Sequence, residues 1–116
     1  MNSDNAKQQM RKGVLEMCIL SIIAEKEAYP SDVINRLKSS QMIVVEGTLY
    51  PLLTRLKDLG LLEYSWQEST QGPPRKYFKI TSEGTSFLDE LAKSWSELVA
   101  SVDKIVGNRQ QTSQAA

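Results

Sequence analysis

The chain of 116 residues contains no histidine and one cysteine, Cys18. The absence of His excludes His-based catalytic triads and the usual zinc sites. A single Cys excludes thiolate metal clusters and an internal disulfide, and it suits a reducing compartment. No Gly-rich phosphate loop opens a helix after a strand. These absences predict a protein that is not an enzyme and that holds no cofactor or metal.

Long apolar runs and an excess of charge are also missing. No hydrophobic stretch approaches the length that spans a bilayer, and the polar N-terminal residues lack the apolar core of a signal peptide. We therefore expect a cytoplasmic protein without a membrane partner. Fourteen basic residues balance fourteen acidic ones, which argues against a generic polyanion binder but leaves room for a local basic patch.

Two helices are predicted in the first third of the chain. The first covers residues 6–27, and Gly13 is expected to fray or bend its early turns. The second begins near Pro30 and ends near Ser39, since proline is tolerated in a first turn. Residues 43–45 are predicted to form a short extended segment that pairs with a later hairpin. One stripe of the first helix is apolar: Leu15, Cys18, Ile19, Ile22 and Ile23.

A third helix is expected from Glu46 or Gly47 to just before Gly60, which suits the left-handed position after a helix end. At 100° per residue its leucines share one face, and small and polar side chains share the other. The apolar face carries Leu49, Leu52, Leu53, Leu56 and Leu59. The opposite face carries Gly47, Tyr50, Pro51, Thr54 and Asp58, with Arg55 and Lys57 on its flanks.

A β-hairpin is predicted next, with strands over residues 61–68 and 75–80 and a loop over residues 69–74. Tyr64 and Trp66 fall on the apolar side of the first strand, where hairpin packing is expected. The adjacent Arg75 and Lys76 must point to opposite faces of the second strand. A leucine-backed helix beside a hairpin that carries basic residues is the outline of a winged helix-turn-helix, which points to double-stranded DNA as the partner.

Thr81 is a helix-capping hydroxyl, and a last helix is predicted from there to about Val106. Gly107 and Asn108 are expected to stop it, which leaves residues 108–116 as a disordered tail. Its apolar residues step by three and four, which is typical of a helix pair, and they predict a homodimer. The alternative is that this stripe packs on its own domain. The seam contains Leu88, Leu91, Trp95, Leu98, Val102 and Ile105.

Four segments, residues 49–56, 59–62, 72–78 and 80–84, closely resemble the PadR-like transcriptional regulators. The resemblance covers residues 10–106 and fits the compact subgroup of the family. It implies a mostly α fold with a small hairpin (α+β): a winged helix-turn-helix over residues 1–81 and a dimerisation helix over residues 82–107. It also implies a dimeric repressor that binds an inverted repeat and is released by a small molecule.

The resemblance also assigns residues to the expected sites. The wing supplies Arg75 and Lys76, while the family's usual Gly-Arg is Gly72-Pro73 here, so one wing charge is absent. Trp95 looks like the residue that binds planar aromatic ligands at the dimer centre. The DNA side of the third helix then carries Gly47, Thr48, Tyr50, Pro51 and Thr54, with Arg55 at its flank.

Each of these residues is also compatible with a structural role that involves no ligand. The polar helix face is compatible with simple solvation, the basic pair with a role in solubility, and Trp95 with core filling. Winged helices also serve as protein-interaction adaptors without DNA binding, and net zero charge is compatible with that role. A small-molecule carrier that uses only the dimer slot is a further alternative.

Overall fold

A computed structural model describes the backbone of residues 3–115 and the side chains of residues 3–107. Within that part of the chain, four helices precede a two-stranded antiparallel hairpin and a fifth helix follows it. The fold is mostly α with a small hairpin, as the sequence predicts. The elements are α1 (Ser3–Lys12), α2 (Leu15–Glu25), α3 (Pro30–Ser39), α4 (Glu46–Asp58), β1 (Leu62–Ser69), β2 (Gly72–Ile80) and α5 (Ser82–Ala115).

The predicted first helix is two helices, which is a correction. The chain breaks at Gly13 and Val14, between α1 and α2. A glycine costs about 1 kcal/mol in a helix interior, and α1 buries no residue that offsets this cost. The apolar stripe belongs to α2, where Leu15, Ile19 and Ile23 are buried.

The second helix is confirmed from Pro30 to Ser39. The carboxylate of Asp32 accepts a hydrogen bond of 2.9 Å from the backbone N–H of Tyr29, which satisfies a donor at the helix start. Val33 and Leu37 are buried on one side, and α3 packs against both α2 and α4.

Residues 43–45 do not pair with the hairpin, so that prediction is wrong. The segment is bonded instead to the end of α3 and the start of α4. Met42 N–H donates to the carbonyl of Leu37, and Thr48 N–H donates to the carbonyl of Val45. The segment that joins the hairpin is Ala28, whose backbone exchanges hydrogen bonds of 3.0 and 2.8 Å with Phe78.

The leucine face of α4 is confirmed except at its end. Leu49, Leu53 and Leu56 are fully buried and Leu52 is half-buried. Leu59 is 56% exposed, contrary to the prediction, because it lies one residue past the last helical position. Gly60 then takes a φ of 78°, the left-handed conformation expected of it.

The hairpin is longer than predicted because most of the expected loop is strand. Residues 72–74 belong to β2, which leaves only residues 70–71 as the turn. Pro73 and Pro74 are tolerated because they fall at an irregularity in the register between Gln67 and Ser69, where neither is paired with a residue of β1. The register pairs Leu62 with Ile80, Tyr64 with Phe78 and Trp66 with Lys76.

Thr81 caps α5 as predicted. Its hydroxyl accepts a hydrogen bond of 2.9 Å from Gly84 N–H and donates one of 2.6 Å to the carbonyl of Gly60. The predicted stop at Gly107 is wrong, since the backbone stays helical as far as Ala115 and the expected disordered tail is helix over most of its length. One glycine costs only about 1 kcal/mol, and no proline follows it.

The core forms where α2, α3 and α4 meet beneath the hairpin. It combines the buried stripes of the three helices with Leu61, Leu62 and Phe78 from the hairpin. Leu88 and Leu91 from the first turns of α5 pack against its edge. The hairpin and α4 are therefore held on one rigid body, so the spacing between them is fixed by packing.

Candidate nucleic-acid interface

The predicted DNA-facing residues of α4 share one exposed face. The three buried leucines fix the rotation of the helix about its axis, so the opposite side chains must point to solvent. Tyr50 is 47% exposed, with its phenol group available as a donor and acceptor. The exposed set is Gly47, Thr48, Tyr50, Pro51 and Thr54.

Arg55 is turned away from that face. Its Nη1 lies 2.6 Å from Oε1 and 2.6 Å from Oε2 of Glu16, which is on α2. The pair also lines a groove that Trp95 of α5 borders. Arg55 therefore ties α4 to α2, and the structure does not bring it together with the other predicted DNA-facing residues.

Arg75 of the wing is held against the start of α3. Its guanidinium carbon lies 3.8 Å from the ring centroid of Tyr29, and Nη2 donates a hydrogen bond of 2.8 Å to the hydroxyl of Ser31. The ring of Tyr29 in turn lies 4.8 Å from that of Tyr77. A guanidinium stacked in this way loses less freedom when it binds an anion than a mobile side chain does.

Lys76 lies on the opposite face of β2, as the alternation of strand side chains predicts. Its Nζ is 4.6 Å from the ring centroid of Tyr64 and 5.6 Å from that of Trp66. The face of an aromatic ring attracts a cation. The two basic residues of the wing are therefore both fixed by aromatic side chains, but by different ones.

The charges of the wing are not neutralised locally. Among the side chains of residues 3–107, the ion pairs are Arg36–Glu25, Arg55–Glu16, Lys57–Asp58 and Lys79–Glu27. Neither Arg75 nor Lys76 takes part in one. A net charge of zero therefore still allows a local positive patch at the wing, where two adjacent cations lie without an ion-pair partner among the described side chains.

A cleft of about 330 Å³ separates α4 from the hairpin, and we call it the wing cleft. Trp66 lines it and packs on Tyr64 within the hairpin, as expected, with ring centroids 5.9 Å apart, but it stays 60% exposed. It follows Tyr64 on the same face of β1 but lies further toward the turn, where no helix covers it. The other lining residues are Pro30, Ser31, Tyr50, Pro74, Arg75 and Lys76.

Sequence reasoning missed Tyr29, Ser31 and Trp66 as members of this surface. Tyr29 and Ser31 flank Pro30, and the only sequence signal there was the start of α3. The contact between Arg75 and Ser31 joins residues 44 positions apart, so no local pattern indicates it. For Trp66, the signal was strand alternation, which gives the face of a side chain but not how far the helices reach beneath it.

The seam of α5 is covered only at its start. Leu88 and Leu91 pack on the core, whereas Trp95 is 43% and Ile105 is 74% exposed. A groove of about 430 Å³ runs beside it, with Phe87, Trp95 and Leu98 in its walls. Leu98 and Val102 are exposed on the same side of the helix.

Cys18 lines a second groove beside Trp95. Burial raises the pKa of this thiol, because a thiolate is poorly solvated there. A raised pKa favours the protonated, unreactive form and suits a small packing residue. The residues that the structure describes hold no cluster of three or more side chains suited to a metal ion, and none of their helices is long and apolar enough to cross a membrane.

Comparison with known proteins identifies the same segments that carry the sequence resemblance. The model of the transcriptional regulator PadR-like family matches residues 19–90, which is more than half of the chain. An uncharacterized protein of Lysinibacillus sphaericus is 35% identical over 96 residues, which cover 79% of this chain and 87% of that protein.

Solved structures agree with this assignment. A PadR-like transcription factor from Bacteroides fragilis is 60% identical; the match covers 87% of this chain and 98% of that one, with a TM-score of 0.74. A PadR family transcriptional regulator from Eggerthella lenta is 32% identical, with 90% and 91% covered and a TM-score of 0.84. The chain belongs to the PadR-like family of transcriptional regulators, which confirms the resemblance in its sequence and the prediction that it is not an enzyme.

Proposed function

We propose that the protein is a homodimeric repressor that binds double-stranded DNA at an inverted repeat. The observation that carries the proposal is the exposed polar face of α4 beside a wing whose two cations, Arg75 and Lys76, have no carboxylate partner among the described side chains. A DNA-binding surface needs cations to position it on phosphates and a few side chains to reach base edges. These two requirements are met on one side of the molecule.

In this proposal α4 enters the major groove and the wing reaches the adjoining backbone. Thr54 and Tyr50 offer hydroxyl groups to base edges or phosphates, and Pro51 offers apolar surface to a thymine methyl group. Thr48 and Gly47 lie at the start of the helix, where a small side chain permits close approach. Arg55 is left out of the readout set because its guanidinium is engaged by Glu16.

The dimer is proposed from the seam of α5. One protomer leaves Trp95, Leu98, Val102 and Ile105 exposed along one helix face, and such a face is stabilised when a second copy covers it. The winged helix-turn-helix of residues 1–81 and the helix of residues 82–107 then have separate tasks. A two-fold dimer presents two copies of α4 to half-sites about one helical turn apart, or a multiple of that spacing.

Ligand control is proposed at Trp95. Its indole borders a groove together with Phe87 and Leu98, and a flat apolar ligand suits such walls. Binding of a planar aromatic compound there is expected to release the operator. Quenching of tryptophan fluorescence by planar aromatic compounds that is lost in Trp95→Ala and kept in Trp66→Phe supports this role, whereas equal quenching in both variants contradicts it.

The experiment that tests DNA binding is a gel shift on the DNA upstream of the protein's own gene, repeated over a range of salt concentrations. Arg75→Ala is expected to weaken binding to all sequences alike and to lower the salt slope by about one. Lys93→Ala is the matched control, since it removes the same charge from α5, far from the wing. Binding that is unchanged by Arg75→Ala at every salt concentration contradicts the wing assignment.

Absence of any duplex binding at low salt favours the other candidate, a protein-interaction adaptor. Net zero charge is the observation compatible with that role. A regulator of this kind works where the chromosome is, so a cytoplasmic location is part of the main proposal.

A further inference from the structure

Trp66 is the most exposed large aromatic side chain in the described part of the molecule. It is 60% exposed at the wing, while Tyr64, two residues earlier on the same face of β1, is half-buried. The two rings meet edge to face, with centroids 5.9 Å apart. Trp66 is thus held by Tyr64 and Lys76 while most of its surface stays exposed, and it lines the wing cleft.

The polar groups around the wing cleft all donate hydrogen bonds. Arg75 and Lys76 are cations, and Tyr50 and the indole N–H of Trp66 add neutral donors. Ser31 accepts from Arg75, which leaves its own hydroxyl proton free to be donated. No carboxylate lines the cleft among the residues that the structure describes. An occupant that only accepts hydrogen bonds and carries negative charge fits this set.

We propose that the wing cleft holds a phosphodiester group of the DNA backbone and that Trp66 packs on the neighbouring deoxyribose. This inference rests on the proposed DNA-binding function and adds a residue that it did not include. Arg75 and Lys76 supply the charge, and their aromatic supports hold them in place before DNA arrives. Because the cleft lies between α4, which enters the major groove, and the wing, which reaches the adjoining backbone, the phosphates at the edge of that groove are the ones placed to enter it.

Tryptophan suits this position for two reasons. Its flat ring covers a large area with little loss of side-chain freedom, and its N–H can donate to a phosphate oxygen at the edge of the contact. The contact of Trp66 with sugar and phosphate does not distinguish one base from another. Trp66 is therefore a positioning residue for the complex, whose removal weakens binding to all sequences by a similar factor.

The first experiment uses fluorescence of the full chain with the substitution Trp95→Phe. The sequence has two tryptophans, so Trp66 is then the only indole. When a duplex that the protein binds is added, the acrylamide quenching constant of Trp66 is expected to fall about two-fold, because DNA covers the exposed part of the indole. Complex formation is followed in the same samples by gel shift. Full accessibility of Trp66 within the complex overturns the inference.

The second experiment compares variants and also serves if Trp95→Phe folds poorly. Trp66→Ala is expected to weaken duplex binding about tenfold, in the range of a contact residue in an interface, and Trp66→Phe should restore most of the loss. Ser65→Ala is the matched control, since it lies on the same strand but on the other face. Equal affinity for Trp66→Ala and the unaltered protein overturns the inference.

The third experiment identifies the phosphate. Single methylphosphonate groups are placed along a bound duplex, which removes one negative charge at a time. One position per half-site is expected to weaken the unaltered protein but to have little further effect on Lys76→Ala, as in a double-mutant cycle. Strictly additive losses at every position overturn the inference while DNA binding itself stands. Failure to bind any duplex at low salt overturns the proposed function and this inference together.

Discussion

Leu56→Ala is expected to destabilise the fold severely. Leu56 lies in the last turn of α4 with no exposed surface, and it belongs to the core cluster that also includes residues of α2, α3 and the hairpin. Truncation of a fully buried leucine costs about 2–5 kcal/mol, because the transfer free energy is lost and a cavity remains. Since a whole domain has only about 5–15 kcal/mol of stability, this is a large fraction of the total.

Thermal unfolding followed by far-ultraviolet circular dichroism measures this effect. The melting temperature is expected to fall by roughly 10 °C or more, since about 1 kcal/mol moves it by several degrees in a domain of this size. Protein concentration must be kept constant, because association stabilises the folded state by mass action.

Leu59→Ala provides the matched control within the same segment. Leu59 is the same residue type but is 56% exposed, so its truncation is expected to cost well under half as much as the truncation at Leu56. A loss of stability below about 1 kcal/mol for Leu56→Ala, or equal losses for the two variants, refutes the buried leucine face. The orientation of the exposed face of α4 depends on the same packing and is refuted with it.

Two further predictions concern α5 and α2. Gly84→Ala should destabilise the fold by several kcal/mol, since the added Cβ would clash with the backbone oxygen of Leu61. Gly107→Ala meets no atom within 4 Å and should instead stabilise the helix by up to about 1 kcal/mol in urea unfolding; destabilisation of both to the same extent would contradict this. Because burial raises the pKa of Cys18, less thiolate is present at neutral pH than in the unfolded chain. Iodoacetamide should therefore label the native protein more slowly than the protein in denaturant, and the native rate should rise with pH; equal rates at neutral pH would argue against the burial.

Local signals predicted three of the helix boundaries well. Pro30, Gly60 and Thr81 each act on their own backbone or on the turn beside them, so their effect can be read without knowing the fold. The failures involve elements that depend on distant partners. The break at Gly13 arises because α1 buries nothing, and the extra length of β2 arises because its two prolines fall at an irregularity in the register where neither is paired.

In the candidate interface, too, features set by local sequence could be predicted and features set by distant contacts could not. The exposed face of α4 follows from helical periodicity alone, because the buried leucines determine the orientation of the other side chains. Arg55 lies on the flank in that projection, and only the contact with Glu16, 39 positions earlier, shows which way it turns. Trp66 was assigned to the correct face of β1, but its exposure depends on where the helices end.

The two backbone hydrogen bonds between Ala28 and Phe78 have a consequence for how this surface can change. They join the hairpin to the residues that lead into α3, and they do not depend on any side chain. Substitutions at the outer positions of the wing can therefore alter its chemistry while its position relative to the start of α3 stays constant. The backbone geometry of the wing is therefore kept, while the side chains at its exposed positions can be exchanged for others.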